Sequence, residues 1–213
     1  MKTKQILKEA IIWLIIAIPL VYFGLIYKSL PEQIPIHFDI HGNPDNYAAK
    51  GSYWWIIILT TLGVYLLMLI IPLIDPKKRL QQMGNKYYVF KLLIVGLMSI
   101  ISIMSVYAAA NPQKDPSLLI MVIMGLMFML LGNYMPSFKP NYFIGIRTPW
   151  TLESEDNWRK THRIGGWTWT LTGLVVIILA LLKASLILTI GLILLAAFIP
   201  VVYSFILYLK NKK

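Results

Sequence analysis

The sequence predicts an all-α integral membrane protein with six transmembrane helices. Three observations carry this. Of 213 residues, 58% are hydrophobic and only 14% are charged, where a soluble domain has roughly 25% charged residues. Six apolar runs approach or reach the roughly 20 residues that cross a bilayer as helix. The basic residues sort by side: with the N-terminus in the cytoplasm, all 20 Lys and Arg except Lys28, Lys50, Lys114 and Lys183 fall on the cytoplasmic face. That asymmetry is the pattern of cytoplasmic loops, and it places both termini inside. It also accounts for the net charge of +11 as contact with anionic lipid and not with nucleic acid. The lipid bilayer is therefore the first expected partner.

The spans follow in order. The first covers about 10–27 behind Lys2, Lys4 and Lys8, with Pro19 inside it; no small-residue cleavage site follows, so it reads as an uncleaved anchor. The second covers about 53–74, opens on Trp54 and Trp55, and stops at Asp75-Pro76. In the third, about 87–110, Gly96, Ser99, Ser102 and Ser105 recur every three residues, a stripe suited to close helix packing. The fourth covers about 118–135. The fifth and sixth, about 167–182 and 186–209, form a hairpin around Lys183-Ala184-Ser185. The whole is expected to be one membrane domain, and its spans are expected to lack ionisable residues.

Two polar stretches interrupt this framework. The extracellular loop, 29–52, alternates Ile34, Ile36, Phe38 and Ile40 with His37, Asp39 and His41. In an extended chain the latter three share one face, either as the polar side of a half-buried strand or as candidate metal ligands. The run 42–46 is a turn cluster, so the loop is expected to be a small ordered cap. The cytoplasmic segment, 136–166, begins with an extended piece over 141–146. Arg147 and Thr148-Pro149-Trp150 then form a turn. Arg147 is expected to satisfy backbone carbonyls or to pair with Glu153, Glu155 or Asp156. Ser154 caps a helix with Glu155 and Asp156 in its first turn. That helix carries Trp158 and His162 on one face, with Gly165, Gly166 and Trp169 continuing along it. Read alone it is an amphipathic interfacial helix, with Trp at the headgroups and Arg and Lys on lipid phosphates.

The run NYFIGIRTPWTLESEDNWRKTHRIGG, 141–166, resembles the signature of the SdpI family, membrane proteins that give bacteria immunity to a toxic secreted peptide. The stretch PEQIPIHFDIHGNPDNYAAK, 31–50, is similar to a domain of unknown function found at the N-terminus of longer members. Phe38 stands where that pattern usually has Trp, and His41 lies outside it. The resemblance implies toxin resistance, with a hydrophobic toxin peptide as an outer partner. It also implies signalling by recruitment of a small repressor at the cytoplasmic face. By motif match its functional residues would be Arg147, Thr148, Pro149, Trp150, Trp158 and Arg163 inside, and His37, Gly42, Pro44, Asp45, Tyr47 and Lys50 outside. Read from the residues themselves, Asn141, Gly145 and His162 of the inner segment and Asp39 of the outer loop are further candidates. No cofactor and no enzymatic activity are expected: the chain has no cysteine, no HExxH and no GxSxG. Two other readings stand beside this one. The first is an intramembrane metal-dependent hydrolase built on His37, Asp39 and His41. The second is a small transporter, for which Asn133 and the serine stripe are the polar candidates.

Overall fold

Hydrophobicity alone does not set where each helix begins and ends; local polar groups do. The computed structural model describes residues 2–212, with side chains from Gln5 onward, so the side chains of Lys2 and Lys4 and all of Lys213 lie outside it. Helix α1 is Lys2–Ile26. A hairpin of β1, Gln33–Phe38, and β2, Pro44–Ala49, follows. Then come α2, Tyr53–Ile58, and α3, Val64–Ile74, joined through a π turn at Leu59–Gly63. Helix α4 is Asn85–Ala110, α5 Ser117–Tyr134, α6 Pro149–Glu153, α7 Glu155–Leu181 and α8 Leu186–Asn211. Among the described residues, six segments are long and apolar enough to cross a membrane.

The chain divides into two compact units. One comprises residues 1–69 and 89–119. Its core joins Phe23 of α1, Ile34 of β1, Tyr53 and Ile57 of α2, and Val106 and Ala109 of α4. The hairpin is thus pinned to the helices through Ile34, which is fully buried. The π turn exists because Thr60 and Thr61 return their hydroxyls to the carbonyls of Ile56 and Ile57, at 2.7 and 2.6 Å. Such back-bonding supplies partners for carbonyls that the widened turn releases. The serine stripe of α4 packs as expected in part. Ser99 donates to the Ile15 carbonyl at 3.1 Å, and Ser102 lies 3.2 Å from Thr60 Oγ1. Gly96, however, has open space where a Cβ would stand, so the close approach begins one turn later.

The expectation that the spans are free of ionisable groups is overturned in this unit. Lys91 of α4 is buried, and its Nζ lies 3.1 Å from Glu9 Oε1 of α1. Tyr65 of α3 donates its hydroxyl to the same carboxylate at 2.6 Å. A buried ammonium needs such a partner, since leaving it unpaired costs several kcal/mol, roughly.

The second unit comprises residues 70–88 and 120–213. Here α5 and α7 run backbone to backbone through two glycine pairs seven residues apart. A Cβ on Gly132 would lie 2.9 Å from the Gly166 carbonyl, and one on Gly125 would lie 2.8 Å from the Gly173 carbonyl. Only glycine permits this spacing, which is the usual device for close packing where lipid offers no hydrophobic drive. The turn into α8 is tight: Lys183 has φ +55°, and Ser185 Oγ accepts the Leu188 N–H.

A candidate functional site on the membrane-proximal loops

In the first unit the hairpin reads Gln33↔Ala49, Ile34↔Ala48 and Pro35↔Tyr47, then slips at Ile36 and again before Phe38. These two bulges break the alternation that would have aligned His37, Asp39 and His41. His37 turns to Asp45, with Nδ1 and Oδ1 2.5 Å apart. Asp39 instead closes the tip: its Oδ1 accepts the N–H groups of His41 and Asn43, both at 2.8 Å. The Asn43 N–H in particular holds the Asp39 carboxyl below the usual aspartate range. Gly42 supplies the positive φ of +83° the tip requires, and it faces the Ser117 side chain so closely that a Cβ would collide. Asp115 beside it is also held below the usual range, by the Ser117 N–H. Tyr47 reaches the Pro44 carbonyl at 3.3 Å. Lys50 is buried at the base. It donates to the Leu30 carbonyl at 3.0 Å, meets Glu32 at 2.8 Å and lies over the Tyr27 ring. His37, Asp39 and His41 therefore do not assemble a metal site; among the described residues no group of three His, Cys, Asp or Glu could hold one.

The second unit holds the 141–166 motif. Its organising residue is Asn141, fully buried. The carboxamide oxygen accepts the N–H of Phe143 and Ile144, at 2.8 and 2.7 Å. The amide donates to the carbonyls of Lys139 and Ile144, at 2.8 and 3.1 Å. A side chain thus does here what secondary structure does elsewhere, and the extended piece expected over 141–146 is instead a series of bends. The bends bring Gly145, at φ +112°, beneath the His162 ring, where a Cβ would overlap Nε2.

His162 ties this loop to α7. Its Nε2 accepts the Ile146 N–H at 3.0 Å, and its Nδ1 lies 2.8 Å from the Trp158 carbonyl. One nitrogen must accept and the other must donate, so the ring is the neutral Nδ1–H tautomer. It stacks on Trp158 with centroids 4.0 Å apart, and the Trp158 indole N–H donates to the Phe138 carbonyl at 2.8 Å. Both rings are about 1% exposed. The helix is therefore not the lipid-facing interfacial helix its composition suggested. Asn157, Trp158, Thr161 and His162 face inward, while Arg159, Lys160 and Arg163 are exposed. It is one continuous helix, Glu155–Leu181, with the apolar stretch expected from about 167 as its later part.

The Thr-Pro-Trp turn becomes the short helix α6. Thr148 caps it in a reciprocal box with Thr151, and Pro149 occupies the first turn, where its missing N–H costs nothing. Arg147, exposed, donates to the Tyr142 carbonyl, which is the first of its two expected roles. Trp150 reaches α8: its indole N–H donates to Ser204 Oγ at 2.7 Å, and its ring lies against Phe205 and Tyr208. Ser204 also accepts, through its carbonyl, the Asn157 amide at 3.0 Å, and Asn157 Oδ1 accepts Thr161 Oγ1. Thr151, Asn157, Thr161 and Ser204 were not picked out from the sequence. Their signal was present: Asn157 and Thr161 are one helical turn apart, beside Trp158 and His162, and Ser204 interrupts an apolar span.

The carboxy-terminal region matches the family model described as the SdpI/YfhL protein family over residues 137–204, which contain the whole Asn141–His162–Ser204 network. A second family model, a domain of unknown function designated DUF1648, matches residues 14–61, with the hairpin inside it. The chain is also similar to the immunity protein SdpI of Bacillus subtilis strain 168. Identity is 28% over 193 residues, which cover 87% of this chain and 88% of that one. No solved structure matches. With six apolar spans among its described residues and these similarities, the chain is a multi-pass protein of the bacterial cytoplasmic membrane.

Proposed function

We propose that this protein protects its host bacterium from a secreted toxic peptide. The observation that carries the proposal is the similarity to an immunity protein over nearly the full length of both chains, spanning both polar elements. The basic residues favour both termini in the cytoplasm, which puts the hairpin outside and the motif inside. Around the hairpin tip Ile36, Ile40 and Tyr47 are 40%, 53% and 48% exposed. With His37 and Asp45 beside them they make a mixed apolar and polar surface suited to a hydrophobic peptide. Toxin recognition is assigned to that surface. Inside, the exposed Arg147, Arg159, Lys160 and Arg163 are the groups a small repressor would meet if the protein also signals. The immunity reading is preferred over the hydrolase one because the similarity is to an immunity protein and Asp39 is engaged by the turn amides of His41 and Asn43. Deleting the gene from its host and challenging with the peptide toxin the host secretes tests the proposal: survival should fall, and unchanged survival contradicts it.

A further inference from the structure

In the second unit a cavity of about 490 Å³ opens beside the first turn of α7. Its walls combine Pro136, Phe138, Pro140 and the Trp158 ring with the polar Ser137. Trp158 has already given its indole N–H to Phe138, so it offers the cavity only ring surface. The rim is charged. It carries Arg79, Lys139 and Arg159 together with Glu155 and Asp156.

The charges at this rim do not cancel. Glu155 answers Arg79 at 2.8 Å. Asp156 answers two cations at once, Arg159 at 2.8 Å and the neighbouring Lys160 at 2.7 Å. Among the described residues Lys139 meets an amide oxygen, that of Gln82 at 3.4 Å, and no carboxylate. Two cations are left without a carboxylate of their own. The existing pairs are solvent-exposed, and such pairs contribute little, so they yield readily to a stronger anion. The position is also specific. The cavity lies where the candidate span Lys50–Ile74 has just ended, where Ser117–Ser137 ends and where Glu155–Leu181 begins. Three span ends define the depth of the lipid headgroups.

We infer that this cavity binds a phosphate group, and that in the membrane the phosphate is the headgroup of an anionic phospholipid. The cationic rim takes the phosphate, and the proline and aromatic walls take the glycerol beside it. The volume is in the range of small-molecule sites. Basic pockets at helix ends are a general means of holding anionic lipid.

The test uses the purified full-length protein in detergent. Phosphatidylglycerol, phosphatidylcholine and inorganic phosphate are titrated separately, and bound lipid is counted by native mass spectrometry. Phosphatidylglycerol should be retained in preference to phosphatidylcholine. Lys139→Gln should weaken its retention roughly fivefold, the effect of one cation at an anionic surface. Lys210→Gln, which removes an exposed cation at the end of α8, should leave it unchanged, with both variants melting as wild type does. Equal retention of the two lipids overturns the inference, as does a Lys139→Gln variant indistinguishable from Lys210→Gln. Competition separates the two sources of phosphate. Failure of millimolar inorganic phosphate to displace phosphatidylglycerol supports the lipid. Complete displacement assigns the cavity to soluble anions and overturns the lipid assignment.

Discussion

Replacing Asn141 by leucine removes four hydrogen bonds while keeping the number and branching of its heavy atoms. Two of its partners, the N–H groups of Phe143 and Ile144, donate to the Asn141 carboxamide oxygen and would lose that acceptor. An unsatisfied buried donor costs about 1–3 kcal/mol, so the two together cost about 2–6 kcal/mol. Against a typical total of about 5–15 kcal/mol, that is enough to unfold the 137–148 loop locally even where the helices stand. The carbonyls of Lys139 and Ile144 lose a donor too, but each keeps a second lone pair and contributes less. Asn141→Asp separates the two halves of the role. Its carboxylate still accepts both N–H groups, yet it places negative oxygen against two carbonyls, so it should fall between wild type and leucine. Limited proteolysis of the purified protein, read at the loop, orders the three: wild type slowest, aspartate intermediate, leucine fastest. If leucine is cut as slowly as wild type, or aspartate faster than leucine, the loop is not organised by Asn141.

Three further outcomes are expected. Gly42→Ala forces a side chain into a positive φ and against Ser117; it should lower the melting temperature, and adding Ser117→Gly should restore part of the loss, which a purely conformational penalty would not allow. Arg147→Ala should impair toxin resistance, because the Tyr142 carbonyl loses its donor. Lys160→Ala should be mild in the same survival assay, because its exposed i,i+4 pair contributes about 0.3–0.5 kcal/mol. Acidification should loosen the hairpin tip. The Asp39 carboxyl is lowered in the folded state, chiefly by the Asn43 N–H, so its carboxylate stabilises the fold above the unfolded value of about 3.9. That contribution disappears as pH falls through the lowered folded value. Faster amide exchange at His41 and Asn43 below about pH 4, after correction for intrinsic rates, is the signature.

The spans were legible because hydrophobic length is a one-dimensional property: the run around Leu118 and the one around Leu186 each announce a crossing without reference to anything else. The pairing of Trp158 with His162, the Ser154 cap and the tight turn at Lys183 were legible for a similar reason, since each depends on neighbours within one helical turn. What was hidden depends on distant partners. Trp158 looks like an interfacial anchor until Phe138 and Gly145 are seen to cover it. Nothing near Lys91 in the chain reveals Glu9, 82 residues away. The facing glycine pairs of α5 and α7 became visible only when two helices were laid side by side. The bulges that separate His37 from Asp39 are cross-strand events, so an alternating pattern in one strand concealed them.

The most direct test of the central claim places this gene in a toxin-sensitive bacterium. Survival is measured across a range of the peptide toxin, alongside Gly145→Ala, with survival normalised to protein present in the membrane. Because a Cβ at Gly145 overlaps His162 Nε2, the variant should insert yet lose the ordered motif. The account predicts that wild type shifts the lethal dose upward by at least tenfold and that Gly145→Ala abolishes most of that shift. No protection by wild type, or equal protection by both at equal membrane abundance, would contradict it.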